Sequence, residues 1–273
     1  MNPITAGIIG ISVLFGFLLL LLILLIIVVC MLYNIQTSLQ PKEEKKEKKR
    51  KKYKYTAIII ETSEHPALKF VLSNIVTNLS DDWGIVICHG NRNEKYIQNI
   101  ISKLQTERFH MQHIPVDTMD IYQYDTFMKS PFFFEYVPTE MFLVFQKDTM
   151  IIPRYKDKIN DFLKYDYVGA PWKIPFLGKG NEVGNGGFSL RRKSKMMEIL
   201  NHSNSDSPEE LYYSCPSNIS ISKPSAEEAT LFSIETILVP HSFGCHKPWM
   251  YQEHETLFDM YPEIKDLYIC QKY

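Results

Sequence analysis

The sequence predicts an α/β fold, a mixed and mostly parallel sheet flanked by helices, and three observations carry that expectation. Residues 55–61 and 83–89 are short, continuously apolar runs rich in β-branched side chains, which is how strands buried on both faces read. After each comes a stretch with apolar residues at helical spacing, first Leu68, Val71, Leu72, Ile75 and Leu79, then Ile97, Ile100, Ile101 and Leu104. Strand and helix therefore alternate, the order expected of parallel strands joined by crossover helices.

Taken in order, Thr62-Ser-Glu-His-Pro66 opens the first helix, and Gly90-Asn91 closes the second strand. Residues 94–104 form the next helix and 109–116 a third strand. Residues 122–135 read as a helix interrupted at Pro131, since proline removes a backbone donor and clashes with the preceding turn. Residues 141–146 are the strongest remaining strand, running into Lys147-Asp148-Thr149. Residues 188–200 show a helical pattern, 207–213 a helix start, 225–231 another helix and 233–239 the alternation of a strand. Residues 240–249 read as a loop holding two histidines, a lysine and a tryptophan.

Charge divides the chain sharply. The 273 residues sum to a net −1, yet residues 1–41 carry no charged side chain and residues 42–54 hold nine Lys/Arg and three Glu. The remainder is net −7, which argues against nucleic acid as its main partner, because such binding neutralises phosphates. Residues 6–33 are uncharged and, at about 1.5 Å per residue, exceed a hydrocarbon core of roughly 30 Å. The expected organisation is a short tail at 1–5, a transmembrane helix at 6–33, a Lys/Glu stalk at 34–54 and one globular domain at 55–273. Basic residues directly after the span place the domain on the cytosolic side of a single-pass membrane protein, with the stalk read as a solvated spacer, as a segment held against anionic lipid, or as both. Five scattered cysteines, Cys30, Cys88, Cys215, Cys245 and Cys270, suggest neither a disulfide framework nor a zinc site.

In open parallel sheets ligands bind beyond the carboxyl ends of the strands. Glu61 and Thr62, His89 and Asn91, and Asp148 all occupy such ends. Position alone leaves Asp148 open to two roles, holding a divalent cation or capping a turn. The segment from Gly169 to Gly187 holds six of the twelve glycines, as either a binding loop or a tight corner. Glu209 and Glu210 suit the first turn of a helix through its dipole, whatever else they do.

Five blocks in fixed order add a resemblance. They are Phe145-Gln-Lys-Asp148-Thr149, Tyr165-Asp-Tyr-Val-Gly-Ala-Pro-Trp172, Gly184-Asn-Gly-Gly-Phe-Ser-Leu-Arg191, Pro208-Glu-Glu-Leu-Tyr-Tyr-Ser214 and Phe243-Gly-Cys-His246-Lys-Pro-Trp249. Over roughly residues 56–250 the chain resembles a family of glycosyltransferase-like proteins of inferred activity found in giant DNA viruses, fungi and plants. That family is in turn similar to GT-A-type nucleotide-sugar glycosyltransferases. The resemblance implies a GT-A-like fold and a hydroxyl acceptor, a glycan or another alcohol, that receives a sugar from a nucleoside-diphosphate sugar, with inversion. It places Asp148 and His246 as ligands of Mn²⁺ or Mg²⁺, and Glu210, with Glu209 second, as the base. Gly184, Asn185, Gly186 and Gly187, with Trp172, Lys247 and Trp249, fall in the donor and acceptor loops, while Glu61, Thr62, His89 and Asn91 are assigned to the nucleotide by their strand-end position alone.

Two departures from the GT-A pattern matter. Gln146-Lys147-Asp148 stands where two carboxylates are usual, and Glu209-Glu210 where a Glu-Asp pair is common. They keep a second expectation open, a membrane-tethered carbohydrate-binding or structural protein that retains the fold without turnover.

Overall fold

The computed structural model describes residues 52–174 and 182–272, together with the helical residues Leu24, Leu25, Val28 and Val29. The chain divides into two compact units, residues 1–51 and 52–273. Nearly all of the expected transmembrane helix and stalk lies outside the described residues, among which no helix is long and apolar enough to cross a membrane.

The second unit is built on a six-stranded sheet of order β3-β2-β1-β4-β7-β6. Strands β1 (Tyr55–Ile60), β2 (Trp83–His89), β3 (Phe109–His113) and β4 (Met141–Val144) pair in parallel. β7 (Ser189–Arg192) runs antiparallel to β4, and β6 (Tyr167–Gly169) antiparallel to β7, so β7 alone is reversed. The expected mixed, mostly parallel α/β sheet is what the chain forms.

The apolar runs of β1 and β2 follow from burial on both sides. Ala57 and Ile59 enter one core with Leu68, Val71, Leu72 and Ile75 of α1 (Ala67–Asn78), and with Ile97 and Ile100 of α2 (Glu94–Ile101). Ile58 and Ile60 enter the opposite core with Phe133 and Phe134. With side chains alternating across the strand, both sets must be apolar. The long helical pattern at 122–135 divides into α3 (Ile121–Met128) and α4 (Pro131–Glu135), with Pro131 tolerated in the first turn of the second helix. α3 starts in a capping box. Gln123 N–H donates to Asp120 Oδ1 at 2.8 Å and Asp120 N–H donates back to Gln123 Oε1 at 3.0 Å.

Beyond a short helix α5 (Ile159–Phe162), the chain departs from expectation. Residues 189–192, expected as helix, form β7, and the helix α6 (Lys193–His202) begins only after them. The strand is set by pairing with β4, Leu143 opposite Leu190, which sends Arg191 into the interior. Residues 240–249, expected as loop, contain β9 (Gly244–His246). β9 pairs antiparallel with β5 (Thr149–Ile151) and parallel with β8 (Ser233–Ile234) in a second, three-stranded sheet. The strand expected at 233–239 stops at Ile234, and Glu235 leaves the ladder for a buried polar cluster. Helices α7 (Glu209–Ser214), α8 (Ala226–Thr230), α9 (His254–Met260) and α10 (Ile264–Cys270) complete the unit.

Gly169, the last residue of β6, shows why its block is glycine-containing. A Cβ there would overlap the backbone carbonyl of Asn185, so only glycine lets β6 lie directly against the glycine loop.

Candidate active site at the carboxyl end of the sheet

The site forms where the two sheets meet. β4 runs through Phe145 into a tight turn in which Thr149 Oγ1 donates to Gln146 O at 2.7 Å, and this turn carries Asp148. β9 then lies alongside, with His246 opposite Thr149 and Lys247 N–H donating to Asp148 O at 2.9 Å. Two segments far apart in sequence are thereby locked together, and His246 Nε2 stands 3.5 Å from Asp148 Oδ1.

The other edge of the imidazole faces Glu235, with Nδ1 2.9 Å from Oε1. Both are ion-pair contacts, and Asp148 Oδ1 and both ring nitrogens are buried with no hydrogen bond to any other group. Burial works against a charged imidazole, but Asp148 and Glu235 outweigh it and hold His246 up at about 9. The exchange is mutual. Burial would raise Asp148, whereas His246 and then Lys247 bring it below the usual carboxylate range.

Glu235 is itself clamped. Asn185 Nδ2 donates to its two oxygens at 3.0 and 3.1 Å, while Asn185 Oδ1 accepts from Gly187 N–H at 3.1 Å. Gly187 lies against the face of His246, where a Cβ would fall inside the imidazole's van der Waals envelope. Gly187→Ala is therefore expected to push His246 from Asp148 and destabilise the fold by about 1–3 kcal/mol, read as a lower midpoint in chemical denaturation.

Behind the loop, Arg191 is fully buried and paired with Glu209. Its guanidinium lies 5.1 Å from the Tyr167 ring centroid and 5.7 Å from that of Tyr213, and its Nη2 donates to Gly186 O at 3.2 Å. Glu209 is thus committed to an internal ion pair. The adjacent Glu210 lines the cleft, and Gly186 N–H donates to its Oε2 at 3.4 Å. Burial, then the neighbouring Glu209 charge, raise the Glu210 carboxyl above the ordinary glutamate range.

These groups line a cleft of about 750 Å³ that contains Trp172, Asn185, Gly186, Gly187, Glu209, Glu210, Glu235, His246 and Lys247. A second cavity of about 270 Å³ holds Glu61, Thr62, Lys147 and Asp148. The two share Ile121, Tyr124 and Gln146 as a common wall. Lys147 Nζ reaches Glu61 Oε2 at 3.0 Å, and Ser63 N–H donates to Glu61 Oε1 at 2.9 Å.

The structure gathers most, but not all, of the expected residues. Gly184 lies just outside the cleft lining and gives its carbonyl to the Tyr167 hydroxyl at 2.8 Å. Trp249 is buried and packs on Tyr268 at 5.9 Å, away from the cleft lining. His89 and Asn91 line neither cavity. His89 Nδ1 contacts Gly90 O at 2.9 Å and Asn91 donates to Asp117 at 3.0 Å, because β2 lies toward the sheet edge. Glu235 and Tyr124 were not singled out from the sequence, and Gln146 only as standing where a carboxylate is usual. The one available signal for Glu235 was an acid within an otherwise strand-like apolar run.

The donor set fits a divalent cation shared with a substrate. Two ligands about 2.1 Å from a metal and roughly at right or tetrahedral angles stand about 3–3.5 Å apart, close to the separation of Asp148 Oδ1 and His246 Nε2. Both atoms are otherwise without a hydrogen bond, and Glu235 takes the carboxylate position behind a metal-binding histidine. Among the described residues no group of three His, Cys, Asp or Glu side chains could hold a metal by itself, so the remaining positions would fall to substrate oxygens or water.

No curated protein matches this sequence. Among solved structures, the chain is similar to HddC from Yersinia pseudotuberculosis at 11% identity, covering 77% of this chain and 99% of that one with a TM-score of 0.44. The glycosyltransferase GlyE of Streptococcus pneumoniae matches at 12% identity over 81% of this chain and 62% of that one, TM-score 0.49. The mannosyltransferase PcManGT from Pyrobaculum calidifontis, in complex with GDP-Man and Mn²⁺, matches at 10% identity over 63% and 55%, TM-score 0.44. All three scores lie below 0.5, and the chemistry of the site rests on its own residues. Residues 103–246, more than half of the chain and the segment that carries the glycine loop, Asp148, Glu209, Glu210 and His246, match one family model, so the chain belongs to the family described as "Protein of unknown function (DUF5672)".

Proposed function

We propose that the protein is a glycosyltransferase that moves a sugar from a nucleoside-diphosphate sugar to a hydroxyl acceptor. The observation that carries this reading is that Asp148 Oδ1, from the adjoining cavity, stands 3.5 Å from His246 Nε2, which shares one cleft at the carboxyl end of the sheet with the Glu210 carboxylate.

In this reading Asp148 and His246 hold a divalent cation, Mn²⁺ or Mg²⁺, which supplies Lewis-acid stabilisation of the departing diphosphate. Lys147 and Lys247, on either side of Asp148, add fixed positive charge for the same phosphates. Glu61 and Thr62 hold the nucleoside side in the smaller cavity. Trp172 and the Asn185–Gly187 backbone hold the sugar and acceptor in the larger one. Glu210 accepts the acceptor's proton as its oxygen bonds to the anomeric carbon and the bond to the diphosphate breaks, with inversion. Glu209, tied to Arg191, positions Glu210 and the loop. The apolar run at 6–33 anchors the protein in a membrane, and the basic residues after it place the catalytic unit on the cytosolic side.

Asp148→Ala is the direct test. Calorimetry of the full chain with UDP- and GDP-sugars and Mn²⁺ is expected to show metal-dependent donor binding, and turnover is expected to fall about 10²–10³-fold in the variant. Failure of the wild-type chain to bind any nucleotide sugar would sink the enzyme reading. Donor binding with no turnover in either form would favour the non-catalytic carbohydrate-binding protein, a reading supported by Lys147 standing beside the single carboxylate.

A further inference from the structure

Glu235 occupies a position that the transfer reaction does not itself require. It is 3% exposed, it directly follows the short strand β8, and it faces two partners at once. On one side is His246 Nδ1 at 2.9 Å, on the other the Asn185 amide at 3.0 and 3.1 Å. A carboxylate removed from water on this scale is costly unless several partners compensate it. Asn185, 4% exposed, spends its amide donors on Glu235 and its oxygen on Gly187 N–H at 3.1 Å. Gly187 in turn lies against the imidazole, so the path closes on itself. The result is a continuous polar link from the glycine loop, through Asn185 and Glu235, to His246 and on to Asp148.

We propose that Glu235, held by Asn185, is the positioning residue that fixes the ring orientation and tautomer of His246 for a divalent cation, and that it thereby couples cation occupancy to the order of the Asn185–Gly187 loop. The inference rests on the metal-dependent reading above. Its physical basis is that a histidine presents one nitrogen to a cation reliably only when its other nitrogen is engaged, and that removal of such a partner weakens metal affinity about 10- to 100-fold. Here the engaging carboxylate is anchored to the loop that lines the cleft, so a cation that orders His246 must also tighten Gly187. Neither Glu235 nor Asn185 need touch the substrate for this to operate.

The test uses the full chain with Mn²⁺ as probe, alone and with UDP or GDP, and counts bound Mn²⁺ by electron paramagnetic resonance. Glu235→Gln is expected to weaken Mn²⁺ binding about 10- to 100-fold and Asn185→Ala to weaken it in the same direction, whereas Glu235→Asp recovers part of the loss. Two further readouts separate positioning from a merely structural role. With Mg²⁺ and UDP or GDP, ¹⁵N-labelled histidine should report His246 as the Nδ1-protonated tautomer in the wild type and as a mixture in Glu235→Gln. Hydrogen exchange at Gly186 and Gly187 should slow when cation is added to the wild type and be indifferent to it in Asn185→Ala. Mn²⁺ binding in Glu235→Gln within twofold of wild type, or an unchanged tautomer, would overturn the inference and leave the proposed function standing. A wild-type chain that binds UDP or GDP but no Mn²⁺ would overturn the inference and the metal requirement together. A misfolded Glu235→Gln is identified by its thermal unfolding, and the wild-type tautomer and loop exchange then decide the matter without it.

Discussion

Glu210→Gln is expected to lower sugar transfer by about 10²–10⁴-fold, the range spanned by a positioned general base, and at the same time to make the protein more stable. The two effects have one cause. Burial and the adjacent Glu209 raise the Glu210 carboxyl, so its charged form is disfavoured in the folded chain. A carboxyl raised on folding contributes fully below its unfolded value, and that contribution is lost as pH rises through the folded one. At neutral pH the ionised group therefore strains the native state, and glutamine of the same shape relieves it. A gain of about 1 kcal/mol corresponds to roughly 2–4 °C in Tm for a domain of this size. The acid limb of the kcat/KM profile should lie above the ordinary glutamate range in the wild type and disappear in the variant. Loss of stability with little loss of transfer would identify Glu210 as a structural residue.

Arg191→Ala is expected to destabilise the fold by about 3–5 kcal/mol, the range found when one partner of a buried ion pair is removed. Arg191 is fully buried, paired with Glu209, placed near the rings of Tyr167 and Tyr213, and bonded to Ser189 Oγ and Gly186 O at 2.8 and 3.2 Å. Its loss leaves the Glu209 carboxylate uncompensated and a cavity among aromatic rings. Chemical denaturation should show a lower midpoint, and the double variant Arg191→Met with Glu209→Gln should recover much of the loss, since it removes both charges. Equal destabilisation in single and double variants would mean that packing, rather than the uncompensated charge, sets the value. Because the pair is shielded from solvent, added salt should change the difference little.

These two residues also show how unevenly the site could be read in the sequence. Glu210 was visible as one of a pair of acids at a helix start, but only the pairing of Glu209 with buried Arg191 separates the two. Arg191 sat in the stretch 188–200, which reads as helix. Pairing of Leu190 with Leu143 instead makes 189–192 a strand and turns Arg191 inward. A local pattern cannot report that, because the competing strand partner lies in another part of the chain.

The same reason divides the rest of the molecule. β1 and β2, with α1 and α2, were determined by sequence alone, since burial on both faces demands unbroken apolar runs and 3.6-residue spacing needs no partner to be recognised. The split of 122–135 at Pro131 was equally local, a missing donor and a fixed φ. The three-residue strands β5, β6 and β9 were beyond such reading, because each is too short for a period and exists through its neighbours, whereas the strand read at 233–239 survives only as the two-residue β8. Asp148 and His246 were named from sequence, but their 3.5 Å approach is the product of β5 pairing with β9. Glu235 had no sequence signal beyond one acid in an apolar run. Only the tertiary structure, by ending β8 at Ile234 and turning Glu235 toward Asn185 and His246, decided that this carboxylate stands behind the site.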